Sequence, residues 1–154
     1  MKTLNDIDVS GKKVLVRVDF NVPLDDHQII GDDTRIRFVL PTLAHLLDQG
    51  AKVIIGSHLG RPKGKPEPAL SLKPVARRLE ELLNVPVAMA DDCVGEAVTG
   101  KVDALEPGEI LLLENLRFHP GESENDDAFA RALGALCDVY VNDAFAVCHR
   151  KNAS

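Results

Sequence analysis

The chain has no tryptophan, one tyrosine and five phenylalanines in 154 residues, so aromatic rings cannot build its core. The apolar volume must come from Val, Leu, Ile and Ala. A hydrophobic share of 45% and a charged share of 27% are ordinary for a globular domain. Three cysteines, Cys93, Cys137 and Cys148, form no C-x-x-C pair. An odd count without that spacing reads as free thiols in a reducing compartment rather than a disulfide framework or a zinc ribbon. No stretch approaches the roughly 18 apolar residues of a membrane span. Met1 to Ser10 is polar and lacks the apolar centre of a signal peptide. An excess of positive charge is also missing. The net charge of −6 argues against a nucleic-acid or anionic-membrane surface, but leaves a local basic pocket open.

What is present is a repeated pattern. Four apolar runs, Val14-Leu15-Val16, Val53-Ile54-Ile55, Ile110-Leu111-Leu112-Leu113 and Val139-Tyr140-Val141, each stop at polar residues. Short β-rich runs without alternation read as strands buried on both faces, as in a parallel sheet. Strands are expected over Lys13 to Asp19, Lys52 to Ser57, Val85 to Met89, Glu109 to Glu114 and Asp138 to Val141. A helix from Asp33 or Thr34 to Gln49 should kink or break at Pro41 and stop at Gly50. A second helix has Ser71 as N-cap, Pro74 in its first turn and a stripe of Leu72, Val75, Ala76, Leu79, Leu82 and Leu83. Asp91 and Asp92 can cap a brief helix through Val98, and Ser123 to Asp126 resembles a capping box for another. Strands alternating with helices predict a three-layer α/β/α fold, Rossmann-like, with a parallel sheet of about five strands. The whole of 1–154 is expected to be one domain. With no helix after its last strand, it looks cut short.

In such a sheet, ligands sit beyond the carboxyl ends of the strands. The residues there are Asp19 and Asn21, then Ser57, His58 and Arg61, then Glu114, Asn115 and Arg117, then Asn142 and Asp143. Asp19 and Asn21 alternate with Val18, Phe20 and Val22, so both leave on one side. An acid beside an amide suits the hydroxyl and carboxyl groups of a small hydroxy acid. The same pair also suits a strand-end turn bonded to its own backbone. His58 and Arg61 supply donors for a phosphate, and Gly60 lets backbone approach closely. A solvated loop would read the same way. Arg35, Arg117 and Arg150 add cations that repel one another unless an anion joins them. Gly64-Lys65 is not a P-loop, because position 59 is Leu and position 66 is Pro.

Four segments resemble phosphoglycerate kinase in order and spacing: Arg17-Val-Asp-Phe-Asn-Val-Pro23, Ser57-His-Leu-Gly-Arg-Pro62, Leu113-Glu-Asn-Leu-Arg-Phe118, and Val139-Tyr-Val-Asn-Asp-Ala-Phe145 with His149-Arg150. The resemblance spans essentially the whole chain. It implies an incomplete N-terminal, 3-phosphoglycerate-binding domain with about five of the family's six strands. It also implies that the nucleotide-binding C-terminal domain lies outside this chain. Substrate-binding residues would be Asp19, Asn21, Arg35, His58, Arg61, Arg117 and Arg150. Asp19 and Asn21 would hold the hydroxyl and carboxyl end, and His58 with three of the arginines would grip the phosphate. Arg35 would act catalytically on the phosphoryl group in flight. The last motif departs from the family pattern, reading Ala146-Val147-Cys148-His149-Arg150-Lys151-Asn152, with Arg150 four residues from the end.

The implied reaction is phosphoryl transfer between 1,3-bisphosphoglycerate and ADP, giving 3-phosphoglycerate and ATP in glycolysis. Mg²⁺ with ATP or ADP would be bound by the absent domain, leaving no cofactor or metal for this chain. The partners expected are the small-molecule substrates and that missing domain, with neither nucleic acid nor membrane. The whole protein is expected to be a cytoplasmic monomer, and this piece alone is not expected to turn over. A non-catalytic binding or scaffold module with the same fold is the alternative.

Overall fold

A computed structural model describes residues 8–25, 27–60, 68–118 and 127–143. Five strands form one wholly parallel sheet: β1 (Lys13–Val18), β2 (Lys52–Gly56), β3 (Val87–Met89), β4 (Ile110–Leu112) and β5 (Val139–Asp143), in the order β3-β4-β2-β1-β5. Among the described residues the helices are α1 (Thr34–Phe38), α2 (Leu40–Asp48), α3 (Lys73–Leu83), α4 (Glu96–Asp103) and α5 (Asp127–Gly134). Short 3-10 turns occupy Pro68–Leu70 and Leu116–Phe118.

Side-chain alternation sorts the strands into two buried faces. Val14, Val16 and Val18, with Val53, Ile55, Ile110 and Leu112, pack with Ile36, Leu43, Leu46, Val75 and Leu79 of α1, α2 and α3. Leu15, Ile54 and Leu111 face Val98, Val102, Phe129 and Leu133 of α4 and α5. Burial on both faces is why the strands read as continuous apolar runs. The three-layer α/β/α, Rossmann-like architecture expected from sequence is therefore present.

The helical details follow local chemistry. The expected helix from residue 33 or 34 to 49 is two helices, because Pro41 occupies the first turn of α2 and the chain breaks at Val39. Gly50 closes α2 at φ 76°, a left-handed conformation that a side chain would strain. The predicted stripe of α3 is present: Val75, Ala76 and Leu79 are buried, and Leu82 and Leu83 pack against the same core.

Three expectations need correction. The N-cap of α3 is Leu72, although the Ser71 hydroxyl still accepts from Lys73 N at 3.2 Å. The helix placed before Val98 instead starts after Gly95, at φ 112°, and runs on to Asp103. Gly100 is a weak helix former, but burying Val98 and Val102 carries the helix through it. Asn142 and Asp143 belong to β5 rather than following it, paired with Arg17 and Val18 of β1. The capping box at Ser123 to Asp126 lies outside the described residues.

Neither Cys93 nor Cys137 is in a disulfide, and burial, with Asp138 nearby, pushes the Cys137 thiol up. Among the described residues no helix is long and apolar enough to cross a membrane.

Ile54 is fully buried between the sheet and the α4–α5 layer. Ile54→Ala should lower stability by about 2–5 kcal/mol through lost transfer energy and a residual cavity. Urea unfolding checks this as a lower midpoint with an unchanged slope.

Candidate functional site

β1, β2 and β4 end together, because parallel pairing aligns Arg17 with Gly56 and Ile55 with Leu112. The polar residues that follow them meet at one edge of the sheet. After β1, Phe20 and Val22 are buried while the alternating Asp19 and Asn21 are only partly buried. The Arg35 guanidinium, from α1, donates to Asp19 Oδ1 at 3.1 Å and to the Asn21 carbonyl at 3.0 Å. Asn21 Oδ1 accepts from Gly60 N at 2.9 Å, tying the end of β1 to the loop after β2.

His58, in that loop, is only 4% exposed. Its Nδ1 lies 3.1 Å from Nη2 of Arg17. Ser57 Oγ accepts from Phe20 N at 2.9 Å and donates to the His58 carbonyl at 3.1 Å. Arg117 lies in the 3-10 turn after β4, and its N donates to Asn115 Oδ1 at 3.0 Å, an acceptor shared with Leu59 N. Asp19, Asn21 and Arg35 are thus joined to the 57–60 loop that carries His58, and Arg117 is tied to the same loop through its backbone N and Asn115. Arg61 and Arg150 lie outside the described residues.

The turn reading of Asp19 is also realised, since its Oδ1 accepts from Asn21 N at 3.0 Å. Gly60 has φ 62°, and a Cβ there would come within 2.8 Å of Leu70 Cδ2. Its open side thus meets Leu70, and the close approach expected of it is met by protein.

Glu114 and Asn115 do not join the crevice as the strand-end pattern suggests. The Glu114 carboxylate accepts from Leu72 N at 2.9 Å, Asn115 N at 2.8 Å and the Ser71 hydroxyl at 2.7 Å. Asn115 is fully buried, and its Nδ2 donates to the carbonyls of Leu59 at 2.7 Å and Leu70 at 3.0 Å. Both fasten the loop after β2 and the start of α3 to the end of β4. They were chemically apt for ligands, but buried carbonyls and amides nearby claimed them first.

The sequence reading passed over Arg17. It is 1% exposed, and its Nη1 donates to the Val18 carbonyl at 2.6 Å. A charge inside an apolar strand buried on both faces is the signal that could have flagged it.

A cavity of about 670 Å³ lies elsewhere, between residues 27–33 and α3, lined by Asp33, Arg37, Arg77, Arg78 and Glu81 among others. Its charges largely pair with each other. Asp33 accepts from Arg37 at 2.9 Å and from Arg78 at 2.7 Å, while Arg78 donates to Glu81 at 2.7 Å. Among the described residues no three or more His, Cys, Asp or Glu side chains gather to hold a metal.

A family model described as phosphoglycerate kinase matches residues 4–154. A phosphoglycerate kinase from Desulfosudis oleivorans is 67% identical over 154 residues, which is 100% of this chain and 39% of that protein. Another, from Geobacter metallireducens, is 60% identical over 146 residues, covering 95% of this chain and 37% of the relative. The solved phosphoglycerate kinase of Pyrococcus horikoshii matches with a TM-score of 0.90 at 38% identity, over 99% of this chain and 39% of that one. That of Coxiella burnetii gives 0.85 at 42% identity, over 98% and 37%. The chain spans about two fifths of the length of these relatives.

Hydrogen bonds from Arg37 first, then Arg78, hold the Asp33 carboxyl below its usual range. A depressed carboxyl stabilises above its unfolded value of about 4 and loses that contribution as pH falls through the folded one. The acid limb of a pH-dependent melting series should therefore be shallower in Asp33→Asn than in the parent. Parallel limbs would contradict the coupling. Asn115→Ala should cost on the order of 2–4 kcal/mol, because it strands buried partners in two loops. Chemical denaturation reads that loss.

Proposed function

This chain belongs to the phosphoglycerate kinase family, and on that premise we propose that its strand-end rim is the 3-phosphoglycerate site of such a kinase. The observation that carries this reading is the joining of Asp19, Asn21 and the Gly60 loop around Arg35. Side chains of three segments are held to one edge, where a small hydroxy acid bearing a phosphate meets an acid, an amide, an imidazole and guanidinium groups. Arg61 and Arg150 complete the substrate set in this proposal, with Arg117 beside them.

The reaction is phosphoryl transfer between 1,3-bisphosphoglycerate and ADP, giving 3-phosphoglycerate and ATP. In the reverse direction the nucleophile is a carboxylate, already ionised at pH 7 because such groups titrate near ~4. The site therefore needs no general base. It needs alignment and positive charge where the phosphoryl group passes, and Arg35 is the residue assigned to that. Mg²⁺ carried with ATP or ADP supplies further charge, and it is held by the part of the protein beyond this chain. Closure of the two parts on each other expels water and brings the substrates together. This chain then binds substrate but does not turn over alone. The same reading makes the whole protein a glycolytic, cytoplasmic monomer.

Calorimetric or NMR titration with 3-phosphoglycerate should show binding that Arg61→Ala weakens. Identical titrations of the two proteins would count against the site. In the whole protein, Arg35→Ala should reduce kcat by roughly 10²–10³, the usual cost of removing one donor aimed at developing charge. Steady-state kinetics reads this as a fall in kcat larger than any rise in KM.

A further inference from the structure

We propose that Arg78 of α3 is a positioning residue for Arg35: by gripping Asp33 it holds the N-terminal end of α1 in place while the Arg35 guanidinium changes partners. This role rests on Arg35 being the residue that meets the phosphoryl group. α1 has five residues, far short of the roughly 12–15 that let a helix persist alone. Its N-cap residue is Asp33, a residue type suited to bonding the free amides of the first turn. The Asp33 side chain makes no such bond. Its carboxylate goes to arginines instead. Oδ2 accepts from Nε and Nη2 of Arg78 at 2.9 and 2.7 Å, and Oδ1 accepts from Nε of Arg37 at 2.9 Å.

The two ends of α1 are therefore held differently. Toward the C-terminal end, Ile36 and Val39 are buried in the core that also contains Val75 and Leu79 of α3. At the N-terminal end, beside Arg35, two polar ties reach other elements. One is Arg35 itself, donating to Asp19 Oδ1 at 3.1 Å and to the Asn21 carbonyl at 3.0 Å. The other is Asp33 with Arg78. The first is given up, at least in part, when Arg35 turns to a phosphoryl oxygen. Among the described residues, the second is the side-chain tie that outlasts that exchange.

Arginine suits the task. Nε and Nη2 lie in one rigid plane and close on a single oxygen, so the pair sets a direction as well as a distance. The third nitrogen, Nη1, donates to Glu81 Oε2 at 2.7 Å, three residues on along α3, which keeps the guanidinium from swinging away. A pair this exposed adds little to stability. Its effect falls on geometry, where a misplacement of about 1 Å can cost ~10²-fold in rate.

The test uses the whole protein carrying this chain. Arg78→Met should lower kcat by roughly tenfold, inside that range, with the Kd for 3-phosphoglycerate changed less. Arg78→Lys keeps a charge but not the two fixed N–H groups, so it should recover part of the loss. Glu81→Gln weakens the other arm of Arg78 without untying α1, and should leave kcat close to the parent's. A double-mutant cycle with Arg35→Ala separates positioning from general damage. Since Arg78 acts through Arg35, Arg78→Met should add little once that guanidinium is gone. Additive losses would overturn the proposal, as would a parent-like kcat in Arg78→Met or a Glu81→Gln protein equally impaired. Amide exchange reads the backbone directly. In Arg78→Met the Arg37 amide, bonded to the Asp33 carbonyl at 3.0 Å, should exchange faster, while the Ile54 amide in β2 keeps the parent's protection. Equal acceleration at both sites, or none at Arg37, would sink the local anchor. A parent-like kcat in Arg35→Ala would instead overturn the catalytic reading of Arg35, while amide exchange still judges the hold of Arg78 on α1.

Discussion

Parallel strands must all finish at the same edge, and every functional feature of this chain follows from that constraint. Backbone pairing sets β2 against β1 and β4 against β2 with no slack in register. Once Arg17 sits opposite Gly56, the residues after each strand have no choice of neighbourhood. Asp19 and Asn21 arrive beside the 57–60 loop, and that loop arrives beside Asn115. An antiparallel sheet with the same residues would send half of them to the opposite end. The site is thus a by-product of topology, and hydrogen bonds refine it.

The refinement is done by side chains that never face solvent. Ser57, Glu114 and Asn115 are buried and bond to backbone groups of segments far away in sequence. Turns next to a sheet edge leave amides and carbonyls that neither strand nor helix satisfies. These polar side chains supply the missing partners. They also stiffen loops that would otherwise drift, which matters where a ligand must be met within a fraction of an ångström. The left-handed turn at Gly60, backed by Leu70, belongs to the same device.

The sheet, its order of layers and the α3 stripe were legible because burial on both faces leaves uninterrupted apolar runs and a 3.6-residue period. Pro41 announced the break between α1 and α2 through its missing donor. Legibility failed where an outcome depends on distant partners. Nothing local to Glu114 or Asn115 says that Leu72, Leu59 and Leu70 will need them. The run of α4 through Gly100 was hidden for the same reason, since its cause is the burial of Val102. Arg17 was visible as an oddity, a cation in an apolar strand, but its place beside His58 was not.

One argument from sequence changes its form in the structure. Clustered arginines were expected to need an anion to offset their repulsion. Arg35 instead leans on Asp19, and Arg17 on a carbonyl and an imidazole. Crowding at Arg35 therefore does not by itself demand a ligand, because Asp19 is its counter-group, while Arg61 and Arg150 lie outside the described residues. The case for a ligand rests on how the charges are distributed. Arg17 is sealed in the interior, whereas the Arg35 side chain is half exposed and its partner Asp19 retains contact with water. An exposed ion pair contributes little to stability, commonly under about 1 kcal/mol. Exchanging that weak bond for a phosphate oxygen costs the fold little. Exposing Arg35 thus keeps a cation available at the strand ends, which is what the proposed site for a small anion requires.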